Sequence, residues 1–130
     1  MPDTTPNTTP ETTTDLPVIV IGAGPVGLAA AAHLLERGLT PLVIEAGNHI
    51  AASIRAWGHT RLFSPWQYNI DDAARRLLER TSWVAPDPAA LPTGHELIDD
   101  YLIPLATALG DRVRTGVRVV AVSPDGVDKT

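Results

Sequence analysis

A chain of 130 residues with a net charge of −5 is one domain's worth of polypeptide. Its acidic balance argues against nucleic acid or an anionic membrane as the main partner. The complete absence of cysteine removes disulfides, thiolate metal sites and cysteine redox chemistry from the chain. No apolar run is long enough to span a bilayer, and no basic start leads into an apolar stretch, so a soluble, cytoplasmic protein is expected.

Residues 1–15, "MPDTTPNTTPETTTD", are rich in Thr and Pro and nearly free of apolar side chains. They cannot bury enough surface to offset their ordering entropy and read as a disordered tail. Residues 16–130 are expected to form the folded part. "VIVI" at 18–21 is a β-branched run of the kind found in parallel strands covered on both faces. Residues 25–37 follow as a helix, with Pro25 at its first position and Gly38 as its stop. Val26, Ala30 and Leu34 recur at i, i+4 and i+8 and predict one narrow buried stripe on this helix. Residues 42–44 make a second buried strand ending at Glu45, which completes a βαβ unit. "DDAARRLLER" at 71–80 predicts a helix that is acidic at its start and basic at its end. Thr93 and Glu96 fit a capping box that opens a helix running to about Leu109, kinked or shortened by Pro104. A last strand is expected over 117–122, closed by a turn at Pro124-Asp125-Gly126.

The chemistry lies in the first crossover. Gly22 permits the tight turn off the strand, Gly24 leaves room for a pyrophosphate against the backbone, and Gly27 lets helix and strand approach closely. The helix N-terminus can then aim free N–H groups at phosphates, while Ala31 keeps the helix tight on the sheet. Glu45 stands at the end of the second strand, where a carboxylate can accept hydrogen bonds from ribose hydroxyls. Small residues could simply pack a helix on a sheet, but glycines, alanine, helix stop and acid coincide here at the spacing of a dinucleotide site. The negative charge of Glu45 disfavours a 2′-phosphate, and no arginine adjoins it, since Ala46, Gly47 and Asn48 follow. The ligand is therefore FAD or NAD rather than NADP.

"VIVIGAGPVGLAAAAHLLERGLTPLVIEAG" resembles the N-terminal FAD-binding segment of two-dinucleotide-domain flavoproteins. "LPTGHELIDDYLIPLATALGDRVRTGVRVVAV" is similar to the stretch of flavin-containing monooxygenases, and of related N-hydroxylases and Baeyer–Villiger enzymes, that leads into the third strand of their FAD domain. The resemblance implies an α/β, Rossmann-like FAD/NAD(P)-binding domain, a parallel sheet with a βαβ start, here incomplete. It also implies roles. Backbone at Gly22, Ala23, Gly24, Pro25 and Gly27 would hold the FAD pyrophosphate, Glu45 would hold the adenosine ribose, Val119 would contact adenine through its backbone, and Ala46 also belongs to the cofactor-binding set. The family's GGxW stretch has its nearest equivalent at residues 51–57, which lack both glycines. Trp57, Arg61 and "FSPW" are the candidates to replace its flavin contacts.

The implied activity is hydride transfer from NAD(P)H to FAD followed by oxygenation of a small organic substrate. No second glycine-rich motif for NAD(P) is present, so a truncated chain, inactive alone or joined by a C-terminal half or partner chain, is expected. Two other readings stand beside it: a non-catalytic module for NAD or ADP-ribose, and a fragment of an NAD-dependent dehydrogenase. The interval of more than seventy residues between Glu45 and Val117 is too long for a short-chain dehydrogenase. A disulfide reductase of the glutathione reductase type would carry a cysteine pair soon after the glutamate. His33 reads as a packing residue, and His49, His59 and His95 are too widely spaced for a metal site. Asp71-Asp72 and Asp99-Asp100 read as solvated helix faces. No catalytic residue is assigned, because the redox chemistry of a flavoprotein belongs to the cofactor.

Overall fold

The computed structural model describes residues 16–124, so the Thr/Pro-rich segment 1–15 and the later part of the turn at 124–126 lie outside the described residues. β1 (Val18–Ile21), α1 (Pro25–Glu36) and β2 (Pro41–Ile44) form the expected βαβ unit. The strands are parallel, with Val18 opposite Pro41 and Ile21 opposite Ile44. β3 (Val113–Arg114) pairs parallel to the far side of β2, giving the order β1-β2-β3. That is one half of the Rossmann strand order. α1 ends at Gly38, whose φ of +77° is the left-handed conformation that glycine adopts freely.

Between β2 and β3 run two single-turn helices, α2 (Ala52–Arg55) and α3 (Trp66–Asn69), followed by α4 (Asp72–Leu78). Asp71 caps α4 by accepting from the Ala74 amide at 2.9 Å. The last helical segment is continuous but changes pitch: α5 (Gly94–Leu97), a π-helical stretch (Ile98–Leu102) and α6 (Ile103–Leu109). Both arms of the capping box form, Thr93 N–H to Glu96 Oε1 at 2.9 Å and Glu96 N–H to Thr93 Oγ1 at 3.1 Å. The disturbance expected at Pro104 takes the form of the π stretch just before it. Proline cannot donate to the carbonyl four residues back, that of Asp100. Trp83 supplies the missing donor, its indole N–H reaching the Asp100 oxygen at 2.8 Å.

α1, α4 and α6 pack together over β2. Leu28, Val43, Leu78, Tyr101, Leu102, Leu105 and Leu109 are the fully buried centre of that packing. Tyr101 accepts a hydrogen bond from the Asp71 amide, and Asp71 also meets His33 Nε2 at 2.9 Å, so α1, the start of α4 and the π stretch are tied at one point. His33 is thus a partner of Asp71 as well as a packing residue.

Three expectations need correction. The buried face of α1 is Leu28, Ala31 and Ala32, while Val26 is 84% exposed. The close approach at Gly27 sets the helix phase and rotates the Val26 stripe outward. β1 is not covered on both faces among the described residues: Val20 turns toward α1, but Ile19 and Ile21 remain exposed. The third strand lies at Val113–Arg114 instead of 117–122, and residues 117–124 form no strand. Chain pairing with β2 is complete by Val117, whose amide donates to the Glu45 carbonyl at 3.0 Å, and Val120 and Val122 project into solvent. No described helix is long and apolar enough to cross a membrane.

Candidate dinucleotide-binding site

β1 and β2 end side by side, and the chain leaves both of them at the carboxyl edge where open α/β sheets bind ligands. Gly22 takes φ +98° to turn off β1, a conformation that side chains oppose. Gly24 is the N-cap of α1 and offers no side chain to its first turn, which also lacks an acidic residue. The orphan amides of a helix start are therefore uncapped, the arrangement that receives an anion. A Cβ built at Gly22 or Gly24 would meet nothing within 4 Å, so both glycines border open space. A Cβ at Gly27 would lie 2.0 Å from the Gly22 carbonyl oxygen and 3.3 Å from the Val20 side chain. The third glycine thus serves helix–strand packing, and the first two leave a cradle.

Glu45 is the keystone of this edge. Its Oε1 accepts from the Ala23 amide at 2.8 Å and its Oε2 from the Gly47 amide at 2.9 Å. These two hydrogen bonds, Ala23 first, hold the carboxyl below its ordinary range against the upward push of partial burial. A carboxylate has about four acceptor positions, so two oxygens carrying one amide each still have room for ribose hydroxyls. A shallow groove of about 190 Å³ runs beside it, lined by Ile21, Gly22, Glu45, Ala46, Arg118 and Val119.

Four of the sequence-derived residues, Gly22, Glu45, Ala46 and Val119, line one groove, while Ala23 joins them through Glu45 and Gly24 with Pro25 opens the helix above. Trp57 is placed elsewhere. It follows α2, is 42% exposed and lies against Gly94 at the start of α5. Arg61 is engaged by the Leu91 carbonyl and by Glu96. Of "FSPW", Phe63 is fully exposed and Trp66 is buried. His59 and His95 meet edge to face with ring centroids 4.8 Å apart.

Two residues of the site escaped sequence reasoning. Arg118 enters the groove from far along the chain, so a search beside Glu45 could not find it. Ala51 adopts φ +55°, and its amide donates to the Ala23 carbonyl at 2.9 Å. Ala23 is thereby held from both sides, by Glu45 at its N–H and by Ala51 at its C=O. A non-glycine residue in this region costs about 1–2 kcal/mol, and strain of this kind is tolerated where the surroundings impose it. Ala51→Gly is expected to stabilise the chain by no more than about 0.5 kcal/mol, because the relieved strain is largely offset by loss of a buried methyl and by the greater freedom of glycine in the unfolded state. A urea midpoint lower than wild type would contradict this account.

The chain is 42% identical over 59 residues to the flavin-containing monooxygenase FMO GS-OX-like 7 of Arabidopsis thaliana, an overlap of 45% of this chain and 12% of the relative. It is 32% identical over 113 residues to putrescine oxidase of Kocuria rosea, covering 87% and 19%. Among solved structures, bacillithiol disulfide reductase Bdr of Bacillus cereus superposes with a TM-score of 0.66 at 31% identity, over 85% of this chain and 31% of that one. OTEMO in complex with FAD and NADP shares the fold, with a TM-score of 0.57 at 24% identity, over 82% and 20%. These curated relatives are much longer proteins, of which the chain spans 12% and 19%. Residues 17–129 match the FAD dependent oxidoreductase family, DAO, and the chain belongs to that family of FAD-dependent oxidoreductases.

Proposed function

We propose that this chain grips the adenosine diphosphate portion of FAD on behalf of an NAD(P)H-dependent, monooxygenase-like flavoprotein of the cytoplasm. The observation that carries the reading is the uncapped start of α1, open at Gly22 and Gly24, with the Glu45 carboxylate fixed beside it. The amides following Gly24 would meet the pyrophosphate, Glu45 the ribose hydroxyls, and the groove past Ala46 to Val119 the adenine. Trp57 would stand toward the flavin end. When bound, FAD would supply the redox chemistry, accepting a hydride from the nicotinamide. The residues of this chain bind and orient. Catalytic turnover would need further segments, from a longer chain or from a partner, which supply the nicotinamide site.

The chain is expected to leave gel filtration yellow after incubation with FAD, with the flavin absorption band co-eluting. Glu45→Arg is expected to lower FAD affinity by about tenfold or more, since it removes an acceptor and adds a misplaced charge. A colourless wild-type chain that instead retains NAD would overturn FAD in favour of a nucleotide-binding module. Steady NADPH oxidation by the 130-residue chain alone would overturn the need for a further segment.

A further inference from the structure

A cavity lies at the other end of α1 from the glycine cradle. It has a volume of about 600 Å³ and opens between α1, α4 and the end of α6. α1 has 12 residues and so spans about 18 Å, which separates the two sites. The floor is apolar, formed by Ala32, Leu35, Leu77 and Ala108. The rim is cationic. Arg76 makes a two-pronged pair with Glu36, Nε to Oε2 at 2.6 Å and Nη2 to Oε1 at 2.9 Å. Arg80 and Arg112 complete the rim, and neither has a carboxylate within ion-pair distance among the described residues.

Two unpaired guanidiniums beside one cavity run against the acidic balance of the whole chain. Helix C-termini, which favour cations, account for them only in part. Arg112 gives one donor to the Leu109 carbonyl at 3.0 Å, and Arg80 makes no side-chain hydrogen bond among the described residues. A guanidinium has five donors, arranged to fit carboxylate or phosphate oxygens in pairs. The Glu36–Arg76 pair closes one side of the rim and fixes Arg76, which leaves Arg80 and Arg112 as the free donors. The volume falls within the range of small-molecule sites, and the lining divides into four apolar residues on the floor and four charged ones on the rim.

We propose that this cavity binds a small organic anion, with its phosphate or carboxylate head between Arg80 and Arg112 and a compact apolar body over Leu35, Leu77 and Ala108. The site is separate from the dinucleotide cradle and does not depend on FAD binding there.

Calorimetric titration of the 130-residue chain with phenyl phosphate and with inorganic phosphate tests this. Phenyl phosphate is expected to bind, and inorganic phosphate about tenfold more weakly, because it leaves the apolar floor uncovered. The double variant Arg80→Gln/Arg112→Gln is expected to weaken phenyl phosphate by about tenfold or more, the loss of charge-assisted hydrogen bonds. Its far-ultraviolet circular dichroism and its FAD affinity should match wild type. Arg80→Gln alone provides the same reading at a position that holds no part of the fold together. The proposal is overturned by the absence of phenyl phosphate binding, by equal binding to wild type and variants, or by displacement of phenyl phosphate by FAD, which would place the anion at the glycine loop.

Discussion

Gly27→Ala is expected to lower the free energy of unfolding by about 3 kcal/mol, whereas Gly24→Ala should cost no more than about 1 kcal/mol, the preference for glycine over alanine at an N-cap. The two substitutions add the same methyl group three residues apart and differ only in what it meets. At Gly27 the new carbon would lie 2.0 Å from a backbone carbonyl oxygen, which has no rotamer to change, so α1 must move off β1. That movement also pulls the helix N-terminus away from the cradle, and stability and FAD affinity should fall together. At Gly24 the backbone is extended, with φ −96° and ψ −169°, a conformation open to alanine, and the methyl projects into empty space. Urea denaturation should therefore show a variant only mildly less stable than wild type. If a pyrophosphate occupies that space, the same variant should bind FAD at least about tenfold more weakly. Undiminished FAD binding by Gly24→Ala would remove the pyrophosphate from the cradle.

The same contrast shows what could be read from the sequence. The spacing of Gly22, Gly24, Gly27 and Glu45 carried the βαβ unit and one end of the site, because each residue answers a local backbone demand. The Thr93–Glu96 capping box was legible for the same reason, whereas Asp71, expected on a solvated helix face, is the N-cap of α4 and the partner of His33, a pairing that only the fold brings about. Other features depend on which elements meet in space. The phase of α1 follows from the contact of Gly27 with Gly22, and a hydrophobic period alone placed the buried stripe on the wrong residues. β1 has the composition of a two-sided buried strand, but burial requires a covering layer that is not among the described residues. The β-branched composition of 117–122 predicts a strand there, whereas the strand paired with β2 is Val113–Arg114 and the last bond, from Val117 to the Glu45 carbonyl, reaches only the first residue of that segment. Arg118 bears on the choice of ligand in a related way. Excluding a 2′-phosphate because no arginine adjoins Glu45 in sequence overlooks a guanidinium-bearing residue that lines the same groove from a distant segment. The charge of Glu45 still disfavours the phosphate, but Arg118 stands beside it as a counter-charge in the same groove.

Glu45→Gln is expected to cost about 2 kcal/mol of stability near neutral pH and to flatten the acid limb of the stability curve. Both carboxylate oxygens accept amides, Ala23 at one and Gly47 at the other. A glutamine can accept only one of them, and its own NH₂ then faces the second donor. The loop after β1 and the loop after β2 lose the group that joins them. The pH dependence has a definite sign. The two amides lower the folded carboxyl below its ordinary value of 4.5, so the unfolded chain takes up the proton first as the solution is acidified. The stabilisation is complete above the unfolded value and is lost as pH falls through the folded one. Asp71 adds to the same limb: burial pushes its carboxyl up, but the Ala74 amide and His33 outweigh that, and it too titrates low. The comparison must therefore be between wild type and Glu45→Gln at each pH. Their difference should be largest near neutrality and shrink toward acid, where the wild-type carboxyl is itself protonated. Curves that stay parallel into acid would mean that the Glu45 charge does not hold the two loops together. A stabilising role and a ribose-binding role then separate by order of loss. If the carboxylate serves both, FAD affinity should fall in Glu45→Gln even at neutral pH, under conditions where circular dichroism shows the variant still folded.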